Sequence, residues 1–235
     1  MAKLAKPHHE RHRTEHIGWM RASVLGANDG LISTSSLLVG MAAANATPHI
    51  ILVTAVAALS AGALSMAAGE YVSVSSQADT EAADTAKERH ELEHAPEAEL
   101  LELTHIYMQR GLDRALAQQV AEQLTAHDAL GTHLRDELGI SEVLAARPVQ
   151  AALASAAAFS LGALPAILLA WLWQGSSLVL AIIVVTLALL ALLGAFAGRL
   201  GGASSAKGAM RVLFWGAMAM TATGLIGRLF GIATS

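Results

Sequence analysis

Cysteine is absent from the 235 residues, which excludes disulfides and thiolate metal sites alike. Charge is scarce, at 14% of the chain against 54% apolar residues. Its distribution is more uneven than its total. Of the 19 acids only Glu10, Glu15, Asp29 and Glu70 fall outside residues 79–142. Uncharged runs dominate the rest, so an ordinary soluble domain is excluded. Five of them, at 24–46, 50–74, 151–173, 178–197 and 212–230, approach the ~20 residues that a helix needs to cross ~30 Å of hydrocarbon. The N-terminus is basic and His-rich with no apolar core following at once, so no cleavable signal peptide is expected.

Two connections between these runs also lack Lys and Arg: NATPH after the first and QGSS after the third. The basic residues lie elsewhere. Lys3, Lys6, Arg11, Arg13 and Arg21 precede the first run, and Lys87, Arg89, Arg110, Arg114, Arg135 and Arg147 lie between the second and third. Arg199, Lys207 and Arg211 precede the fifth. This alternation predicts a cytoplasmic N-terminus and middle segment and an outer C-terminus. Arg228 dissents, close enough to the outer end to snorkel. The expected fold is all-α: a polytopic membrane protein of five transmembrane helices with a cytoplasmic three-helix acidic domain between helices two and three. The expected divisions are a basic, His-rich N-terminal segment (1–20), helices one and two (21–77), the acidic domain (78–147) and helices three to five (148–235). His8, His9, His12 and His16 allow three readings of the first segment: a solvated tail, a metal ligand pair one helical turn apart, or an interfacial helix.

The first two spans are the least clean. The first holds Asn28 and Asp29, with Ser33 and Ser36 on the Asp29 face at i+4 and i+7. A carboxylate at mid-membrane costs about 2.5–3.5 kcal/mol on insertion scales, which favours a functional role for Asp29; the plainer reading is an Asp that caps a break in the helix or pairs with a basic residue. Gly26 and Gly30 form a small-xxx-small pair that admits a neighbouring helix, and Gly194/Gly198 and Gly227/Gly231 repeat the pattern. The second span carries Met66 and Glu70 at i,i+4. Thioether and carboxylate together suit a transition metal better than Mg²⁺ or Ca²⁺. The plainer reading of Met66 is packing.

In the acidic segment the helical pattern continues to His94, restarts at Pro96 and breaks again at Gly111. Asp113 is placed to cap a third helix that stops at Gly139. Glu88 and Glu91, and Glu99 and Glu102, share faces at i,i+3, and His133 and Glu137 do so at i,i+4. Three helices presenting such faces can converge on a cation; the plainer reading is a solvated surface. Two ExxH patterns, Glu91–His94 and Glu102–His105, also fit a membrane-anchored di-iron oxidase. A metal-sensing membrane scaffold is a further alternative. Neither rival gives Asp29 a task.

The stretches RASVLGANDGLISTSSLLVG, SMAAGEYVSVSSQ, ERHELEHAPEAELLEL, RDELGI and PVQAALASAAAFSLGALP resemble the vacuolar iron transporter family (the yeast Ca²⁺-sensitive cross-complementer and nodulin-21-like group) over about residues 14–232. The resemblance implies a non-enzymatic homodimer in the lipid bilayer that exports Fe²⁺, and also Mn²⁺, from the cytosol in exchange for protons. Co²⁺ and Zn²⁺ fit the same ligands, and no nucleic-acid partner is expected. The implied transport path runs by Asp29 and Met66, to which the residues themselves add Glu70 at i,i+4 from Met66 and Asn28 beside Asp29. The implied metal ligands are Glu88, Glu91, Glu99, Glu102 and Glu137, with Asp29 and Met66 in the membrane; His133 joins the candidates by its own spacing to Glu137. Two features depart from the family's plant-type members: His133 and Leu134 stand where those carry methionines, and a carboxylate of their second span is an apolar position near Ala58. Short loops and an Ala-rich chain point to a bacterial inner membrane rather than a vacuolar one.

Overall fold

Helix boundaries fall where the punctuating residues stand. The computed structural model describes residues 17–140, 146–173, 175 and 177–233; His8, His9, His12 and His16 lie outside them. Among the described residues there are seven α-helices and no strand: α1 (Ile17–Ala43), α2 (Pro48–His94), α3 (Pro96–Gln109), α4 (Arg114–Asp136), α5 (Pro148–Leu172), α6 (Leu178–Leu200) and α7 (Ser205–Ala233). Proline opens α2, α3 and α5, as befits a residue with no N–H to lose in a first turn. Asp113 caps α4 by accepting from the backbone N–H groups of Ala115 and Leu116 at 3.0 Å each. Gly139, at φ +69°, takes the left-handed conformation just past the end of α4.

The chain divides into two compact units, Met1–Tyr71 with Val149–Ser235, and Val72–Pro148. The helix α2 contributes to both.

In the first unit α1 packs on α6 and α7, and α6 packs on α7. Small residues set these approaches. A Cβ built on Gly30 would fall on the Phe159 carbonyl of α5, and one on Gly227 would fall on the Gly40 carbonyl of α1. Gly194 and Gly208 face each other in the same way across α6 and α7. All three glycine pairs read from the sequence therefore lie at helix contacts. The core gathers Leu38, Val39, Ile51, Ala55, Phe159, Ala163, Ile182 and Met220. Large apolar side chains such as Leu161, Leu180, Leu192, Phe214 and Leu229 remain more than 60% exposed, an outward apolar surface that fits lipid.

Among the described residues, four helices are long and apolar enough to cross a membrane: α2, α5, α6 and α7 (over Ser205–Gly231). The sequence reading expects a fifth in α1. At 27 residues α1 has the length, but Asn28, Asp29 and the run Ser33–Ser36 dilute its apolar content. Thr34, Ser35 and Ser36 of that run are buried against protein, whereas Asp29 and Ser33 lie on the exposed side.

In the second unit α3 packs on α4. Leu103, Tyr107, Ala117 and Ala121 form the core, flanked by Leu100, Leu112, Val120 and Leu124. Helix α4 is kinked. Asp128 is non-helical at φ −161°, ψ 90°, and its carboxylate accepts from the Gly131 N–H at 3.0 Å, starting the helix afresh. The sequence reading expects one unbroken helix there; the local Asp128 cap competes with it and wins.

Candidate metal centre

Four side chains from three helices meet in the second unit. Glu88 comes from the last part of α2, Glu99 from the first turn of α3, His133 from the last turn of α4, and Glu137 caps that helix. One ligand atom from each lies within 4.8 Å of all the others. The Pro96 junction turns the chain after His94, and the Glu99 N–H bonds back to the Ala95 carbonyl at 3.2 Å. That places two carboxylates eleven positions apart in the chain on one site.

The site has too many acceptors. His133 Nδ1 lies 3.0 Å from Glu137 Oε2, 2.9 Å from Glu88 Oε1 and 3.8 Å from Glu99 Oε2. One N–H serves one acceptor, and the bond goes to Glu137. Glu88 Oε1 is close to the ring but is left with no hydrogen-bond partner. Glu88, Glu99 and His133 are buried, with 3%, 7% and 0% exposure; Glu137 stands more open. Among the described residues no Lys or Arg forms an ion pair with Glu88, Glu99 or Glu137. Lys87 pairs with Glu91, and Arg110 and Arg135 pair with Asp136.

The electrostatics follow from that crowding. Burial pushes the Glu88 carboxyl up, with repulsion from Glu137 adding to it and His133 opposing it. Glu99 is raised by burial and then by Glu102, again against His133. Buried carboxylates without a counter-charge are what a divalent cation would relieve. Three carboxylates and an imidazole suit a borderline metal ion. With Nδ1 facing the carboxylates, Nε2 of His133 is buried without a partner.

The other residues singled out from the sequence lie elsewhere. Glu91 belongs to the exposed Lys87 pair, Glu102 is exposed, and neither joins the group of four. In the first unit Asp29 is on the exposed side of α1, and its backbone carbonyl accepts from Ser33 Oγ at 2.6 Å. Asn28, Met66 and Glu70 are half-buried, and Met66 packs on the apolar core. Of the ExxH patterns, His94 stacks on His90 and meets its carbonyl through Nδ1 at 2.8 Å, and His105 is exposed; neither pair enters the site.

The sequence reading missed Asp136. It accepts from Tyr107 Oη at 2.8 Å, from Arg110 Nη1 at 2.9 Å and from Arg135 Nη2 at 3.0 Å. An acid in the last turn of a helix opposes the helix dipole and needs partners; that misplacement was the available signal.

A model of the VIT family matches residues 20–228, most of the chain. This chain belongs to the VIT family. It is 48% identical over 207 residues to a vacuolar iron transporter of Acanthamoeba castellanii, covering 88% of this chain and 76% of that protein. It is 36% identical over 215 residues to vacuolar iron transporter homolog 1 of Oryza sativa (91% and 75% covered). To vacuolar iron transporter homolog 2 of Arabidopsis thaliana it is 32% identical over 215 residues (91% and 85%). The centre at Glu88, Glu99, His133 and Glu137 and the polar residues of α1 and α2 all fall inside the span matched by the VIT family.

Proposed function

We propose that this VIT family chain is a transporter of divalent transition metal, iron first and manganese with it, exporting the ion from the cytosol in exchange for protons. The observation that carries the reading is the buried group Glu88, Glu99, His133 and Glu137, whose carboxylates outnumber the donors available to them. The names of the relatives supply iron as the cargo. In this reading α1 is a fifth span, the Val72–Pro148 unit is cytoplasmic beside the N-terminus, and two copies pair in a bacterial inner membrane.

Metal is gathered by the four side chains, with Glu91 and Glu102 as outlying acids, and then passes by Asp29, Asn28, Met66 and Glu70. Each carboxylate on this route accepts either a metal ion or a proton, and that competition is the minimal chemistry of an exchanger. The arrangement gives no support to the oxidase, because Glu91–His94 and Glu102–His105 stand outside the group of four.

The test is metal flux in proteoliposomes under an imposed pH gradient. Asp29→Asn abolishes flux while leaving binding by the four-residue site; flux retained in that variant overturns the path. Glu99→Gln weakens metal capture by at least roughly tenfold, since losing even an outer partner of a metal ligand costs about 10–100-fold. Metal binding with no flux in the unaltered protein supports the sensor reading instead.

A further inference from the structure

Carboxylates alone discriminate poorly among divalent cations, because oxygen ligands suit Mg²⁺, Ca²⁺ and Mn²⁺. The one nitrogen ligand in the group of four comes from His133. Its ring is fully buried, and Nδ1 is the atom turned toward the acids: 2.9 Å from Glu88 Oε1, 3.0 Å from Glu137 Oε2 and 3.8 Å from Glu99 Oε2. Ligands at right angles around an ion, each ~2.1 Å from it, stand ~3.0 Å apart. Nδ1 already keeps that separation from two of the carboxylates.

A carboxylate can only accept, so in the bond to Glu137 it is Nδ1 that carries the proton. That arrangement leaves Glu88 Oε1 buried without a partner. A cation among these atoms needs the lone pair of Nδ1 instead, and a neutral ring then holds its proton on Nε2. No hydrogen bond opposes the change. Nε2 is buried and has no partner that would hold the ring in its first tautomer. The proton count is unaltered: Nδ1 loses one proton, and Nε2 takes one up.

We propose that His133 is the specificity-determining residue of this site. Ligating through Nδ1 in its Nε2–H tautomer, it selects Fe²⁺, Co²⁺ and Zn²⁺ over Mn²⁺, Mg²⁺ and Ca²⁺, since imidazole suits the first group and oxygen ligands the second. This selection rests on the four-residue site of the reading above and deepens it. The choice between iron and manganese is made at one nitrogen, in the Val72–Pro148 unit.

Equilibrium binding of Co²⁺, an air-stable stand-in for Fe²⁺, and of Mn²⁺ to the full-length protein in detergent tests it. The double variant Glu88→Gln/Glu99→Gln subtracts ions held elsewhere on the chain. His133→Asn keeps an oxygen on Cγ where Nδ1 stands, so a hard ion keeps a ligand and a borderline ion loses its nitrogen. Co²⁺ affinity is expected to fall by at least about tenfold, since disturbing even an outer partner of a metal ligand costs that much. Mn²⁺ affinity is expected to hold, so the preference narrows by the same factor. The second readout needs no variant. ¹⁵N NMR of the His133 ring, assigned through its own backbone, is expected to show Nδ1–H without metal and Nε2–H with Zn²⁺. Should His133→Asn not fold, the tautomer decides alone. A ring that keeps its proton on Nδ1 with Zn²⁺ bound, or Co²⁺ and Mn²⁺ affinities that fall together in His133→Asn, overturns the role of His133 and leaves the site standing. Binding by the unaltered protein no greater than by Glu88→Gln/Glu99→Gln overturns the site itself, and the selection with it.

Discussion

Arg110, the residue that ends α3, holds Asp136 by two hydrogen bonds: Nη1 to the carboxylate at 2.9 Å and Nη2 to the backbone carbonyl at 2.6 Å. The second bond satisfies one of the carbonyls that a helix end leaves open. Because His133 and Glu137 flank Asp136 on the same turn, this clamp fixes two of the four ligands against α3. Arg110→Ala is expected to lower the local stability of the α4 end by about 1–2 kcal/mol, the scale of a charge-assisted bond on a half-exposed side chain. Hydrogen exchange of the amides from Gly131 to Glu137 measures it. Metal affinity falls with it, by roughly tenfold. Unchanged exchange in that turn would refute the clamp.

The same clamp sets a titration. Burial raises Asp136, but the hydrogen bonds from Arg110, Arg135 and Tyr107 outweigh it and hold the carboxyl down at about 2, from an ordinary 3.8. Its contribution to stability is therefore complete above the ordinary value and is lost as pH falls toward 2. Tyr107 moves the other way, raised from 10.0 to about 12 by burial first and the Asp136 bond second. Its contribution is present below pH 10.0 and is lost as pH rises through about 12. The chain has two tyrosines, so Tyr71→Phe leaves Tyr107 as the sole source of tyrosinate absorbance. The expected midpoint is about 12. Adding Asp136→Asn brings it part-way back, since burial remains; no movement would remove Asp136 as a cause.

Much of this was legible because it is punctuated. Pro96, Gly111, Asp113 and Gly139 mark the helix ends of the second unit, and the glycine pairs mark three helix contacts in the first. Spacing also put Glu88, Glu99, His133 and Glu137 on usable faces. What spacing could not do was choose among acids on one face. Glu91 and Glu102 have the same periodic claim as Glu88 and Glu99, and only the packing of α3 on α4 decides which are buried. The Asp128 kink escaped for a similar reason, since a local cap inside a helical pattern leaves the periodicity nearly intact.

Gly30 offers a test of the first unit. No room exists for a Cβ there, because the Phe159 backbone carbonyl occupies the position, and backbone cannot rotate away as a side chain can. Gly30→Val is expected to push α5 off α1 and to destabilise the unit by about 1–3 kcal/mol. Thermal unfolding in detergent measures this. Gly69, which has no atom within 4 Å of the same construction, is the control: Gly69→Ala is expected to leave the midpoint unchanged or raise it.

Glu88→Gln separates a metal site from a structural acid by the sign of its effect. Glu88 and Glu99 are raised above the ordinary carboxylate value, so without metal the folded state favours their protonated forms. Stability from that source is present below the ordinary value of 4.5 and is lost as pH rises through the folded value, which leaves the metal-free protein strained at neutral pH. Glutamine removes a charge from the crowd and keeps the shape, so Glu88→Gln is expected to stabilise the metal-free protein near neutral pH by about 1 kcal/mol. Metal reverses the ranking. At a hundredfold excess over its dissociation constant, a bound ion stabilises the unaltered protein by about 2.7 kcal/mol, and the variant forgoes most of that. Unfolding monitored with and without Mn²⁺ should therefore show the two curves crossing, and acidification should shrink the metal-induced shift as protons reclaim the carboxylates. If Glu88→Gln instead destabilises the metal-free protein, the carboxylate is serving a packing or hydrogen-bonding role, and the excess of acceptors around His133 is not a site awaiting a cation.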